Sequence, residues 1–431
     1  MRKLFGTDGV RGVAGVDLTL DVARYLGAAV VAWSGAGSRV VIGRDTRESG
    51  AALEDALVEG VVGAGGKALR AGVIPTPGVA VLTRLERAEL GCVISASHNP
   101  YQDNGIKFLS GDGRKLDDGS EAAIEAIMGR TALVGGGGDS VLADSAARYL
   151  DWLVSTYGAD APPWPVVLDC ANGAAHVVAP AIFSMVGSVV GSMGTHPDGR
   201  NINAGVGSTH LEAVAAAVAG SGAACGIAFD GDADRCLAVD PDGRTVNGDA
   251  IIAAIALHRR ATRVVVTSMT NLGFHRVMEQ HGIEVEVTDV GDRYVLAGML
   301  STGATLGGEQ SGHVVDLQHH TTGDGVATAL MLLAALDGLG MLMADLVDLV
   351  VPFPQQLVAV PADRAALAGS RRIREEVAAA EAKLGRDGRI VVRASGTEPV
   401  VRVMVEAADA VMCADLCNHL VGIVQTEIGV G

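Results

Sequence analysis

Short runs of valine, isoleucine, leucine and alanine recur along the chain, and longer stretches with apolar residues at helical spacing separate them. Runs bounded by glycine, proline or polar clusters predict buried strands, and the stretches between them predict helices. The order strand, helix, strand, helix, strand occurs three times. The first set is Val40 to Gly43, a helix around Ser49 to Ala64, a strand near Lys67 to Arg70, a helix after Pro77, and Leu90 to Ser95. The second is Val166 to Asp169, a helix after Asn172-Gly173, a strand around Ser188 to Met193, the helix Leu211 to Ala219, and Cys225 to Phe229. The third is Arg263 to Thr267, a helix from Leu272, Glu284 to Thr288, a helix around Tyr294 to Leu300, and Ala304 to Leu306. The remainder reads strand, helix, strand, strand, helix, with Arg389 to Arg393 and Val400 to Glu406 flanking a tight loop.

Helices between strands imply mainly parallel pairing with right-handed crossovers, and single strands could run antiparallel. The predicted fold is α/β: three consecutive three-layer domains of similar topology and a smaller C-terminal α+β domain around a central cleft. The boundaries fall at 1–150, 151–258, 259–354 and 355–431. Gly135 to Gly138 reads as a flexible run, Ala161 to Pro165 as a boundary, and Pro352 to Pro354 as a linker that would leave the last domain hinged. In such sheets ligands gather outside the carboxyl ends of strands. There the third strand of each set meets a polar burst: SASHNP at Ser95 to Pro100, DGDADR at Asp230 to Arg235, GEQSGH at Gly308 to His313.

At 431 residues the chain exceeds one ordinary core. Hydrophobic residues make up 49% and aromatics only 3%, with 58 glycines, so the layers are aliphatic and joined by many tight loops. The net charge of -17 opposes phosphate-backbone binding and makes nucleic acid an unsuitable partner. The most apolar stretch, Val326 to Val351, carries Asp337, Asp345 and Asp348 and reads as a core helix with a connector, not a membrane span. Arg2 and Lys3 lead straight into a Gly/Asp loop and no apolar leader follows, so a cytoplasmic location is expected. The six cysteines include no CxxC pair and read as buried free thiols. Cys413 and Cys417 share a helix face with only His419 near, a poor zinc pattern.

Asp230, Asp232 and Asp234 alternate along an irregular loop and could face one hard cation. A calcium EF-hand is excluded, because Arg235 stands where its glycine belongs and Pro241 where its glutamate belongs. Three carboxylates leave room for water or a phosphoryl oxygen, which favours Mg²⁺, and a solvated acidic turn is the bland alternative. Ser97 follows an apolar strand without a GxSxG elbow, so a triad nucleophile is a poor fit. A phosphoserine would need the cation that the aspartates hold; an Asx-Pro turn capped by Ser97 is the alternative. Arg393, Ser395 and Thr397, with Arg402 on the next strand, form either a phosphate cradle or a plain hairpin. Glu309, Ser311 and His313 suit sugar hydroxyls. Arg11 and Arg44 are either local positive charge or turn arginines in surface pairs. The polar stretch Pro197 to His210 is a binding or capping loop, with Ser208 or Thr209 placed to cap the helix from Leu211.

Together these loops resemble the α-D-phosphohexomutase superfamily. GTDGVRG, ISASHNPYQDNGIKF, CANGAA, PDGRNIN with GSTH, FDGDADR, VGDRY, GGEQSGH, TTGDG and RASGTEP occur in the family's order over essentially the whole chain. The resemblance implies that Ser97 is a phosphoserine, that its phosphate with Asp230, Asp232 and Asp234 binds Mg²⁺, and that Lys107 and Arg11 assist transfer. It implies that Arg235, Glu309 and Ser311 hold the sugar, and that Arg393, Ser395, Gly396, Thr397 and Arg402 grip the non-reacting phosphate. His313 matches a family histidine and is a candidate proton shuttle with Lys107. The implied reaction interconverts glucosamine 6-phosphate and glucosamine 1-phosphate through a glucosamine (or glucose) 1,6-bisphosphate that also serves as primer, and feeds UDP-N-acetylglucosamine synthesis. The alternatives are a phosphomannomutase or phosphoglucomutase by the same mechanism, a non-catalytic phosphosugar-binding protein, and a phosphatase. A homodimer is the family's expectation. Ala394 stands where proline is frequent, and Leu317 to His320 is atypical.

Overall fold

In the computed structural model of the chain, residues 4–6, 8–395 and 399–430 are described. They form two compact units, one of residues 1–267 with 283–348 and the other of 268–282 with 349–431.

The first unit contains three sheets. In the first sheet β1 (Val10–Val13), β2 (Arg39–Arg44), β3 (Lys67–Val73), β4 (Leu90–Ile94), β5 (Asp103–Ser110) and β6 (Gly138–Val141) lie in the order β1-β5-β4-β2-β3-β6. Its helices are α1 (Leu20–Ser34), α2 (Gly50–Gly63), α3 (Thr76–Leu85), α4 (Asp118–Ile127) and α5 (Ser145–Leu153), the last running into a π-helical turn over Val154–Gly158. Strand alternation makes three layers. Val40 and Ile42 bury into one core with Leu26 and Val30 of α1, Leu57 and Val61 of α2 and Ile124 of α4, while Gly43 faces Val79 of α3 on the opposite side.

The second sheet holds β7 (Val166–Asp169), β8 (Val189–Met193), β9 (Cys225–Phe229), β10 (Cys236–Val239) and β11 (Thr245–Val246) in the order β11-β10-β9-β7-β8, with helices α6 (Val178–Met185), α7 (Leu211–Val218) and α8 (Gly248–Arg259). The third holds β12 (Arg263–Thr267), β13 (Glu284–Thr288), β14 (Leu306–Gly308) and β15 (Val314–Asp316) in the order β13-β12-β14-β15. Helix α9 (Leu272–Gln280) lies between β12 and β13 in the chain but groups with the second unit; α10 (Asp292–Thr302), α11 (Gly325–Leu339) and α12 (Met343–Leu349) stay with the first. In the second unit β16 (Gln355–Pro361), β17 (Gly388–Ala394) and β18 (Val400–Ala407) form an antiparallel sheet with α13 (Arg371–Leu384) and α14 (Ala410–Ile428). Helix α9 joins that unit because Asn271, its cap, bonds the Phe353 carbonyl at 3.1 Å and Glu406 at 3.4 Å.

One regularity places the chemistry. In each of the three sheets the third strand of the repeated set is followed by an antiparallel return strand: β4 by β5, β9 by β10, β14 by β15. Each predicted polar burst is the turn, or part of the turn, between such a pair, at the carboxyl end of a parallel strand.

Two expectations, the flexible glycine run and the helix cap, are corrected. Gly138 opens β6, paired in parallel with β3, so the glycine run Gly135 to Gly138 is tied into the sheet at its end. Helix α7 is preceded by His210, and neither Ser208 nor Thr209 provides a side-chain cap; the Ser208 amide instead donates to the Phe229 carbonyl at 2.9 Å. The apolar stretch from Val326 is α11, largely buried, followed by α12, and no single described helix is long and apolar enough to cross a membrane. All six cysteines are buried and free. His419 pairs with Glu376 at 2.9 Å, and among the described residues the group that could hold a metal is Asp230, Asp232 and Asp234.

Candidate active site

Ser97 is buried two residues beyond Ser95, just after β4, with φ at +51°, a left-handed conformation that serine rarely adopts. Its amide donates to Ser95 Oγ at 2.9 Å. Its hydroxyl donates to Asp230 Oδ2 at 2.6 Å and lies 3.2 Å from His98 Nδ1. Burial, then the nearby Arg235 and Arg11, pushes the His98 imidazole down to about 4, so it is neutral at physiological pH.

The turn from β9 to β10 carries the three aspartates, and one oxygen of each lies within 4.8 Å of the others. Ala233 between them takes φ +56°, which lets the alternating carboxylates converge. Asp230 Oδ1 accepts from the Arg235 amide at 3.2 Å, and Asp232 Oδ2 accepts from Thr76 Oγ1 at 2.6 Å and Lys107 Nζ at 3.0 Å. Burial and the neighbouring carboxylates push Asp230 well above the usual carboxylate range and raise Asp234. Burial pushes Asp232 the same way, but Lys107 and the Thr76 hydroxyl outweigh it and hold Asp232 well below that range. Asp232 Oδ1 and Asp234 Oδ1 are buried without a hydrogen-bond partner. Converging oxygen donors with orphaned lone pairs fit a small hard divalent cation such as Mg²⁺.

Lys107 lies on β5, buried, 3.7 Å from Asp234 Oδ2 as well as bonded to Asp232. Burial lowers its pKa, but Asp232, Asp8 and Asp234 overcome this and raise it, so the side chain is an ammonium. Arg11 is on β1 opposite Gly105 of β5, not in a turn. It pairs with Asp8, reaches the Ala96 carbonyl at 3.4 Å, and leaves Nε buried without a partner. Lys115 Nζ reaches the same Asp8 at 2.7 Å.

The turn from β14 to β15 is tight, with the Glu309 amide donating to the His313 carbonyl at 3.0 Å. Glu309 Oε1 accepts from the Gly291 amide of VGDRY at 3.1 Å. Ser311 Oγ and His313 Nδ1 have no protein partner, and His313 Nε2 lies 4.0 Å from Asp234 Oδ2. The Arg235 side chain approaches the cluster, with Nε 3.9 Å from Asp234. These contacts bring Ser97, Lys107, Arg235, His313 and the three aspartates together, while Arg11 and Glu309 flank them.

In the second unit Arg393 of β17 and Arg402 of β18 stand directly opposite each other. Ser395 is buried at the end of β17; its amide bonds the Val400 carbonyl at 2.9 Å and its carbonyl accepts from Arg364 at 2.6 Å. Gly396 and Thr397 lie outside the described residues. Sequence reasoning missed Thr76 and Asp8, which bond Asp232 and Arg11, and Arg47 and Asn203, which hold the Ser97 loop. The signal available for Arg47 was a run of polar residues immediately after the apolar strand β2.

A buried serine bonded to a carboxylate triad, across the carboxyl ends of two repeated sheets, is an arrangement suited to phosphoryl transfer. Models of phosphoglucomutase/phosphomannomutase α/β/α domains I, II and III match residues 2–134, 147–243 and 247–353, and the C-terminal domain model matches 357–422. The chain belongs to that family and is an enzyme of the mutase class. Among its relatives, the phosphoglucosamine mutase of Moorella thermoacetica is 47% identical over 446 residues, covering 100% of both chains. That of Rhodococcus jostii is 47% identical, covering 99% of this chain and 100% of its own. The crystal structure of a phosphoglucomutase/phosphomannomutase family protein from Burkholderia thailandensis superposes with a TM-score of 0.84 at 25% identity over 100% of each chain.

Proposed function

We propose that this chain is a phosphoglucosamine mutase, interconverting glucosamine 6-phosphate and glucosamine 1-phosphate through phosphorylated Ser97. Full-length identity of 47% to proteins of that name supports the amino-sugar substrate. The observation that carries the mechanism is the Ser97 hydroxyl 2.6 Å from Asp230 within a carboxylate cluster that has unpartnered oxygens.

In this reading Asp230, Asp232 and Asp234, with a phosphate oxygen on Ser97, hold Mg²⁺, which when bound neutralises charge on the transferring phosphoryl group. The sugar's O1 attacks the phosphorus of phospho-Ser97 while the bond to Ser97 Oγ breaks, giving glucosamine 1,6-bisphosphate. The intermediate turns over, Ser97 Oγ attacks the phosphorus on O6, and the 1-phosphate leaves. Lys107 takes part as a cation, and with Arg11 it stabilises charge that develops on the phosphoryl oxygens. His313, whose Nδ1 has no protein partner, is the group that takes the proton of the attacking hydroxyl. Arg235, Glu309 and Ser311 position the sugar, and Arg393, Ser395, Gly396, Thr397 and Arg402 hold the phosphate that does not react. A 1,6-bisphosphate primes Ser97. The functional division at residues 150, 258 and 354, and cytoplasmic action in supplying UDP-N-acetylglucosamine synthesis, belong to the same reading, and the net charge of -17 supports a partner set without nucleic acid.

The test is a coupled mutase assay with Mg²⁺ and a trace of the matching bisphosphate, comparing glucosamine, glucose and mannose 6-phosphates. A dominant kcat/KM for the amino sugar is expected. Preference for glucose or mannose would overturn the substrate but keep the phosphoserine, and release of free phosphate without isomerisation would indicate a phosphatase.

A further inference from the structure

We propose that Arg47 and Asn203 are positioning residues that hold Ser97 in its left-handed conformation and thereby set the direction of its Oγ; this rests on Ser97 being the phosphoryl carrier. The two side chains come from different sheets' loops and converge on the same two carbonyls. Arg47 Nη2 donates to the carbonyls of Ser97 at 2.9 Å and Asn99 at 2.8 Å. Asn203 Nδ2 donates to the same carbonyls at 2.9 and 3.1 Å. Two carbonyl acceptors define which end of the Asn203 amide faces the loop.

The rest of Arg47 is equally committed. Its side chain has no solvent exposure; Nη1 donates to the carbonyls of Pro100 and Asp103, and Nε to Asp45 Oδ2 at 2.9 Å. Asp45 Oδ2 also accepts from Ser95 Oγ at 2.6 Å, and Ser95 Oγ in turn accepts the Ser97 amide. Both peptide groups flanking Ser97 are therefore tied to the Arg47–Asp45 pair, one through its carbonyl and one through its amide. A lysine in place of Arg47 offers no planar fork and cannot reach this set of carbonyls together.

Asn203 is itself left-handed, at φ +58°, and its amide donates to the Ala171 carbonyl at 2.9 Å. It lies in the PDGRNIN stretch, to which the proposed mechanism gives no role. The metal loop closes on the same point: a Cβ at Gly231 would lie 2.6 Å from the Ser97 carbonyl and 2.9 Å from Asn203 Nδ2. The serine loop, the aspartate loop and the Asn203 loop thus share one locus. Registration between the sheets is reinforced beside it, where Thr46 Oγ1 donates to the Asn172 carbonyl at 2.5 Å and Arg200 pairs with Glu48 at 2.7 Å. A left-handed serine left without these donors relaxes toward ordinary backbone, and its Oγ turns away from Asp230.

Asn203→Gly keeps the left-handed backbone accessible and removes the amide donors; Asn203→Asp keeps the shape and replaces the donor by a carboxylate acceptor facing the two carbonyl acceptors; Arg47→Lys keeps the charge. Steady-state kinetics would be normalised to the fraction of chain that a glucosamine 1,6-bisphosphate primer phosphorylates, with phosphopeptide mapping of Ser97 in the wild type. The expected result is a fall in kcat of about tenfold to a hundredfold with KM for glucosamine 6-phosphate within about twofold, because the residues orient the reacting atom without touching the sugar. Wild-type kcat in Asn203→Gly and Asn203→Asp would overturn the proposal, whether or not Arg47→Lys folds, as would a rise in KM with kcat unchanged. An active wild-type enzyme carrying no phosphate on Ser97 would instead overturn the phosphoserine reading on which the proposal stands.

Discussion

Ser97 Oγ and Asp230 Oδ2, 133 residues apart in the chain, share a 2.6 Å hydrogen bond in which the hydroxyl donates. A phosphate on that oxygen would add nearly two negative charges beside carboxylates that burial already disfavours. Phosphorylation and cation binding must then favour each other, and by linkage the coupling is reciprocal. Ser97→Ala is expected to fold, to show no mutase turnover, and to bind Mg²⁺ at least about tenfold more weakly than the phosphorylated wild type. Calorimetric titration with Mg²⁺ alongside the activity assay decides it, and full activity in Ser97→Ala would sink the mechanism.

Lys107 is the cation that the aspartates already possess. Replacing it with methionine leaves Asp232 buried without its nearest positive charge, and breaking such a pair typically costs about 3 to 5 kcal/mol. The same replacement removes a repulsion that Mg²⁺ meets in the wild type. Lys107→Met should therefore melt lower in chelator, lose turnover, and gain more thermal stability from added Mg²⁺ than the wild type does. An equal Mg²⁺-induced shift in both proteins would show that Lys107 and the cation do not share the cluster.

Much of this was legible in the chain. Apolar runs such as Val40 to Gly43 and Cys225 to Phe229 became buried central strands, because parallel strands covered on both faces need uninterrupted aliphatic sequence. The return strand β5 was not legible as a strand, since Asp103, Asn104 and Lys107 interrupt its pattern. These are buried or half-buried polar positions satisfied by partners far away in sequence, as when Asn104 donates to Ser49 and Lys107 to Asp232. Ser97 and the aspartates were visible because dense polar residues at strand ends are chemically conspicuous. Arg47 was not, because an arginine beside an aspartate reads as a surface pair, and only tertiary structure reveals that it has no solvent exposure.

Gly323 of TTGDG has a role that its backbone angle does not announce. A Cβ there would fall 2.4 Å from His313 Nε2 and 2.6 Å from its Cδ2, so any other residue displaces the imidazole from its position near Asp234. Gly323→Ala is expected to lower kcat about tenfold or more, with a smaller effect on KM. The two sites should be non-additive: in a His313→Ala background, where the ring is gone, Gly323→Ala should cost little further. Additive losses in the double variant would place the effect of Gly323 somewhere other than on the histidine.

His320 and Asp324 give opposite responses to acid. Both are buried, with His320 Nε2 3.6 Å from Asp324 Oδ2, and Asp324 accepts from Tyr149 at 2.7 Å and caps α11 through the Ala327 amide. Burial, then nearby Arg84, pushes His320 from 6.5 down to about 3, so the imidazole is neutral in the fold. The unfolded chain binds that proton first, and stability is lost as pH falls through 6.5 towards about 3. Burial pushes Asp324 from 3.8 up to about 6, so its folded form holds a proton that the unfolded chain releases. The stability this contributes is complete below 3.8 and is lost as pH rises through about 6. Between pH 7 and pH 5 each contribution amounts to about 1 to 2 kcal/mol and the two oppose. His320→Gln should therefore gain stability relative to the wild type on acidification across that interval, while Asp324→Asn, which retains a capping oxygen, should lose it. Denaturant midpoints at pH 7 and pH 5 for the three proteins are the measurement. If both variants moved in the same direction relative to the wild type, at least one of these buried groups would carry the other charge.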